Sequence, residues 1–232
     1  MRRLISLCLL ALCALGAAAA EAAGPPPTVA VLYFDYTGKT GELEVLRKGL
    51  AQMLISDLSG SDAIRVVERD RLEEILGELK LQGSGKVDAQ SAVKMGKLLG
   101  AKYLVLGGYF DLQGALRVDA RIVDVETGRV LKSFGTNGKP GDFLPVEQQV
   151  AADLGKWFGS SLPAPAAPPP STPKKQPKQP AALKTKTAVK YAEALSQIDS
   201  GDKEKAKETL ARVIKEQPDF ALASLDLDRL MK

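Results

Sequence analysis

Apolar positions come in two rhythms along this chain. Val29 to Phe34 is an unbroken apolar run with β-branched and aromatic members, which predicts a strand covered on both faces. Leu43, Leu46, Leu50, Leu54 and Leu58 then recur at helical spacing, and Gly60 stands ready to stop the helix. A short strand, Ile64 to Val67, follows. Strand, helix and strand in that order predict a right-handed parallel crossover. Between Arg69 and Leu81 the residues Leu72, Ile75, Leu76 and Leu79 share one helical face. Asp70, Glu73, Glu74 and Glu78 enrich the same helix with negative charge, the acids of its opening turns favouring the positive end of its dipole. After a break at Gly83 to Gly85, Asp88 can cap a helix that reaches Leu99 and ends at Gly100.

Beyond Gly100 the rhythm changes to strands. Tyr103 to Phe110 is β-rich, and Gly114 marks a turn. Leu116, Val118, Ala120 and Ile122 then alternate with Arg117, Asp119 and Arg121, the period of a strand with one wet face. The apolar phase shifts at Val123 and Val125, which predicts a bulge or a second covered face. Glu126 to Gly128 reads as a turn and Val130 to Phe134 as the last strand, completing an antiparallel meander. Val146 to Phe158, with Trp157, reads as a closing amphipathic helix. The fold class expected is α/β with a mixed sheet: a parallel β-α-β start, an antiparallel meander, and helices packed on the sheet. Helical spacing resumes at Ala188 to Ile198, turns at Gly201 and Asp202, and continues through Ala206, Leu210, Val213 and Ile214 to Pro218. This predicts a small all-α C-terminal hairpin, with a third short helix from Phe220 to Leu230 behind it.

Composition sets the boundaries. Arg2 and Arg3, the apolar run Leu4 to Leu15 and the small residues Gly16 to Ala20 predict a cleaved signal peptide over residues 1–20. Residues 28–158 read as the α/β domain, 159–183 as a Pro/Lys-rich linker, and 184–232 as the helical hairpin. The linker holds Lys174, Lys175 and Lys178 and no acid between Leu162 and Pro180. It reads as a semi-rigid spacer that can touch anionic wall polymer or a membrane surface only weakly. Leu7 precedes Cys8 and Leu12 precedes Cys13, so neither cysteine sits in a lipobox. The expected location is therefore periplasmic by cleaved export, with any outer-membrane association arising without a lipid anchor.

Charge and missing residue types narrow the chemistry. Residues 28–158 carry 17 Lys and Arg against 18 Asp and Glu, a balance of −1, so the formal net charge of +4 is not a basic face on the domain. Nucleic acid is not an expected partner. The chain contains no histidine, which removes the usual general base and the commonest metal ligand. Outside the expected signal segment it contains no cysteine either. Asp119 with Asp124, or Glu73, Glu74 and Glu78, are the carboxylates that could be paired for acid–base or metal chemistry, but each lies near lysines or arginines. Neither Gly83 with Gly85 nor Gly107 with Gly108 supplies the glycine-lysine-serine or threonine sequence that a phosphate loop requires, since Gly85 and Lys86 are followed by Val87, which has no hydroxyl. Ser56, Ser59 and Ser61 have no positioned base. Tyr33, Phe34, Tyr36, Trp157 and Phe158 read as core or core edge. No catalytic residue, cofactor or metal is expected, and the protein is read as a non-enzyme.

The run Val67, Glu68, Arg69, Asp70, Arg71, Leu72, Glu73, Glu74, Ile75 and Leu76, continuing through Glu78 and Leu81, resembles the CsgG-like family of envelope proteins. Val29 to Phe34, Ala92, Lys94 to Gly100, the strand Tyr103 to Gly107, and Asp124 followed by Glu126, Thr127 and Gly128 extend the resemblance over about Thr28 to Phe158. The family includes the channel that secretes curli subunits, and related folds include outer-membrane activators of peptidoglycan synthases. The resemblance implies a periplasmic domain that docks on an envelope protein, with Glu68, Arg69 and Arg71 as contact residues. Its alternative implication is a homo-oligomeric subunit of a curli-type secretion channel, although no long alternating segments remain for membrane-spanning hairpins. The tail resembles one tetratricopeptide repeat at Ala194, Gly201, Ala206, Leu210, Val213, Ile214 and Pro218, and a lone repeat leaves an apolar face that needs cover.

Overall fold

Val29, Ala30 and Val31 are buried on alternate faces of a sheet, as their unbroken apolar run requires. A computed structural model of the chain describes residues 24–39, 41–79, 89–139, 141, 143–162, 180 and 182–232. The expected signal segment, the glycine break at Gly83 to Gly85, the expected Asp88 cap and most of the Pro/Lys-rich linker lie outside the described residues. The first strand is β1 (Thr28–Val31), followed by β2 (Asp35–Tyr36), α1 (Gly41–Glu44), α2 (Leu46–Leu58) and β3 (Arg65–Val66). Next come α3 (Arg69–Glu78), α4 (Ala89–Leu98), β4 (Tyr103–Leu112), β5 (Ala115–Asp124), β6 (Val130–Gly138) and α5 (Phe143–Ser161). The tail contributes α6 (Thr185–Asp199), α7 (Lys203–Glu216) and α8 (Ala221–Leu230).

The sheet is open and mixed, in the order β3-β1-β4-β5-β6, with β2 also beside β4. β1 runs parallel to β3 and β4, and β4, β5 and β6 form the antiparallel meander. The expected single strand over Val29 to Phe34 is instead two pieces beside one partner. Val31 pairs with Val105 and Asp35 with Gly108, so four steps on one strand face three on the other. One extra residue is accommodated, as in a bulge, and it turns Phe34 onto the same core face as Val29 and Val31. The β4–β5 turn places Gln113 at φ 51 and Gly114 at φ 79, the two left-handed positions of a tight hairpin turn whose twist matches its strands.

Each face of the sheet has its own core. Ala30, Leu32, Leu104, Val123 and Val125 face α3 and α4, where Leu72, Ile75, Leu76, Ala92 and Met95 meet them. Val123 and Val125 thus realise the second covered face that the phase shift predicted. The other face, with Val29, Val31, Val105, Tyr109, Val118, Ala120 and Ile122, carries α2 and α5. Tyr109 is fully buried there and its hydroxyl donates to the carbonyl of Leu43 at 2.5 Å.

The tail is a further layer on the same side, packed on α2 rather than held apart by the linker. Its buried Ala188, Tyr191, Ala192, Leu195, Leu210, Val213 and Phe220 belong to the core that α2 and α5 build. Tyr191 and Phe220 stack edge to face with ring centres 4.9 Å apart. Asp202 caps α7 by accepting from the Lys205 backbone N–H at 3.3 Å, and Gly201 takes the left-handed turn before it. Gly49 lets α2 and α6 approach closely: a Cβ there would lie 3.1 Å from the Ala192 Cβ. Only glycine admits so close an approach without displacement.

Candidate functional site

Charged side chains collect where the tail meets the α/β domain. Arg69 is the first residue of α3, and its side chain reaches the Tyr33 hydroxyl and the tail. It is only 4 % exposed, an unusual burial for arginine. Its guanidinium donates to Asp199, the last residue of α6, at 2.6 Å, and lies 3.9 Å from Glu73 one turn further along α3. Lys48 of α2 also bonds Asp199 and reaches Glu73 at 3.1 Å. The Tyr33 hydroxyl donates to Glu73, which closes the cluster. Two cations and two carboxylates therefore balance within a small, mostly desolvated volume, as a buried charge requires. Behind them, Tyr191 donates to Asp226 of α8 at 2.8 Å, and Arg229 approaches the same carboxylate at 3.5 Å. Burial lifts the Asp226 carboxyl above its ordinary range, although the tyrosine bond opposes the shift.

The three contact residues implied by the family resemblance are separated by this arrangement. Glu68 and Arg71 lie on the surface, and Arg71 pairs with Glu74. Arg69 between them is directed inward and engaged by the tail. The carboxylates that sequence offered for acid–base work are also dispersed. Asp119 is held by Arg117 at 2.9 Å, and about 17 Å of strand separates it from Asp124. Asp124 accepts the side-chain and backbone donors of Thr127, both at 2.7 Å; these bonds, the hydroxyl first, lower its pKa and close the turn after β5. Glu73 is taken into the cluster, apart from Glu74 and Glu78 on the outer surface. Gly107 and Gly108 lie inside β4, not in a loop. The Ser59 hydroxyl donates to the Ile55 carbonyl at 2.6 Å, and Ser61 accepts from Ala63. Phe34 and Phe158 are fully buried, while Tyr33, Tyr36 and Trp157 edge the core. Among the described residues, no group of three acids, histidines or cysteines is arranged to hold a metal ion.

Two features had no reading in the sequence. Asp199 and Arg69 are 130 positions apart, and nothing local couples them. Glu147 of α5 is fully buried, and neither carboxylate oxygen has a hydrogen-bond partner among the described residues. Burial, aided by the charge of Asp57, raises its pKa well above the ordinary carboxylate value. A signal for Glu147 did exist. It stands at the head of the stripe Val150, Ala151, Leu154 and Phe158, at helical spacing on the apolar face.

The comparisons with known proteins bear on the α/β domain. Residues 17–113 match the family model described as "Curli production assembly/transport component CsgG". No curated protein matches the chain. Among solved structures, the C-terminal domain of LpoB from Salmonella enterica aligns at 14 % identity with a TM-score of 0.43, covering 52 % of this chain and 87 % of that one. The same domain from Escherichia coli aligns at 17 % identity and a TM-score of 0.42, covering 56 % and 93 %. Lipoprotein GNA1162 from Neisseria meningitidis aligns at 14 % identity and a TM-score of 0.39, covering 58 % and 100 %. Among the described residues no helix is long and apolar enough to cross a membrane. The family match falls on the strands and helices that open the sheet, and over those residues the α/β part of this chain is similar to the CsgG family.

Proposed function

We propose that this protein is a periplasmic, non-enzymatic interaction protein of cell-envelope assembly, in which the CsgG-like domain docks on an envelope protein. The observation that carries the reading is the family match over residues 17–113. The chemistry of the surface agrees with it. Asp119, Asp124, Glu73 and Glu74, the acids best placed by sequence, are each held by a donor within the fold instead of converging on a reaction centre. The N-terminal leader exports the chain, and Glu68 and Arg71, exposed on either side of Arg69, supply part of the contact. The tail, a tetratricopeptide-like hairpin with its capping helix, finds on α2 the cover that a lone repeat needs.

Light scattering of the exported protein, with and without detergent, tests this reading. A monomer or dimer of unchanged mass in detergent is expected. A ring of many subunits that takes up detergent would contradict it and favour a secretion channel. Capture from an envelope extract then follows, with Glu68→Lys and Arg71→Glu expected to weaken the captured contact.

A further inference from the structure

We infer that the outer face of α2, with Lys48 and Arg69 at its rim, is a docking surface for an amphipathic helix that ends in a carboxylate, and that the tail occupies it as a displaceable internal occupant. The inference rests on the reading of this protein as one that works by contact. Three observations on the tail and its seat carry it.

The first is charge. Asp199 is the last residue of α6, where the helix dipole disfavours an acid. An acid in that place is stabilised only by what it meets, and it meets two cations from the other layer, Lys48 and Arg69. That is recognition of a helix end by charge complementarity. The second is shape. Gly49 opens a slot in α2 that Ala192 fills, and the Ala188 carbonyl lies 3.8 Å from the same point, so the seat takes a helix with small residues on one face. The third is independence. Although its apolar residues share the core of α2 and α5, the tail's helices are also held to one another by the Tyr191–Phe220 stack, the Tyr191–Asp226 bond and the Asp202 cap, so it can leave as a unit. Residues 163–181, rich in proline, would reach up to roughly 60 Å if extended, so a released tail stays near its seat and competes with an incoming helix. The partner expected is a helix with alanine or glycine facing α2 and Asp or Glu in its final turn.

A fluorescent peptide of residues 182–232, added to the full-length protein, tests this directly. Wild-type protein should bind it weakly, because its own tail competes at high effective concentration. Full-length Asp199→Lys, whose own tail is repelled by Lys48 and Arg69, should bind the wild-type peptide at least about tenfold more tightly. The peptide carrying Asp199→Lys should bind neither protein. Equal binding by wild type and variant, or equal binding of the two peptides, would overturn the inference. Native-state hydrogen exchange on the unaltered protein decides the case where the variant does not fold. Amides of α6 to α8 should exchange together, about tenfold or more faster than those of β4 and β5. Exchange of the tail only through global unfolding would overturn the displaceable occupant. It would leave the envelope contact itself to the light-scattering and capture experiments.

Discussion

Helices α2 and α3 touch at the Lys48–Glu73 bridge, yet they belong to different layers and differ in what covers them. α3 is amphipathic in the ordinary way: Leu72, Ile75 and Leu76 face the sheet, while Asp70, Arg71, Glu74 and Glu78 face water. α2 lies between the sheet and the tail, and ten of its thirteen residues are buried, including Gly49, Gln52 and Ser56. A helix that is apolar on one side needs one neighbour, and one that is buried on nearly every side needs two. The tail is the second neighbour of α2. The difference also explains where these ions lie, because Lys48 and Arg69 sit at a seam where α2, α3 and the tail meet.

The largest test of this contrast removes apolar volume from each helix. Leu54→Ala in α2 should cost about 4 kcal/mol and Leu76→Ala in α3 nearer 2 kcal/mol, read from urea unfolding, because only the first cavity is enclosed by packed layers on both sides. Equal losses would break the comparison. Next, Arg69→Leu should cost about 3 kcal/mol by leaving Asp199 short of a partner in a desolvated site, and Arg69→Leu with Asp199→Leu should recover most of the loss.

Glu147 gives an effect of opposite sign. Its folded pKa is raised above the ordinary 4.5, so the folded state holds the proton more tightly than the unfolded one. Its contribution is favourable below the ordinary value and is lost as pH rises through the raised one. Glu147→Leu should therefore stabilise the protein by about 1–2 kcal/mol at neutral pH, and its advantage should shrink as pH falls toward 4.5. An advantage that does not vary with pH would show that Glu147 is already ionised in the fold. Smallest of all, Arg71→Ala, which removes the exposed pair with Glu74, should change stability by less than about 0.5 kcal/mol.

Much of the sheet was legible because strand periods and turn residues act locally. β4, β5 and their turn lie within two residues of where alternation and Gly114 put them. β6 runs on to Gly138, past the expected Phe134, because pairing with β5 as far as Leu116 sustains residues of low strand propensity such as Gly135 and Asn137. The bulge between Val31 and Asp35 was not legible, since an unbroken apolar run has no period to interrupt. Docking of the tail was half legible. Leu50, Ala51, Met53, Leu54 and Ile55 run around α2 on more than one side, a sign of double cover, but nothing in the sequence named α6 as the cover. Arg69 was singled out by resemblance as a contact residue, and its contact with Asp199 depends on two segments brought together only by the tertiary fold.

The packing of the tail on α2 is most directly tested by a cross-link between two points of close approach in the two layers. On a background with Cys8→Ser and Cys13→Ser, the pair Gly49→Cys and Ala192→Cys brings two Cβ positions to within 3.1 Å, close enough for a disulfide after a shift of a few tenths of an ångström. Mild oxidation of the dilute protein should produce an intramolecular disulfide in most molecules, seen as faster mobility without reductant and loss of free thiol at unchanged mass. Persistent free thiols, or cross-linking only between molecules, would contradict the docked tail.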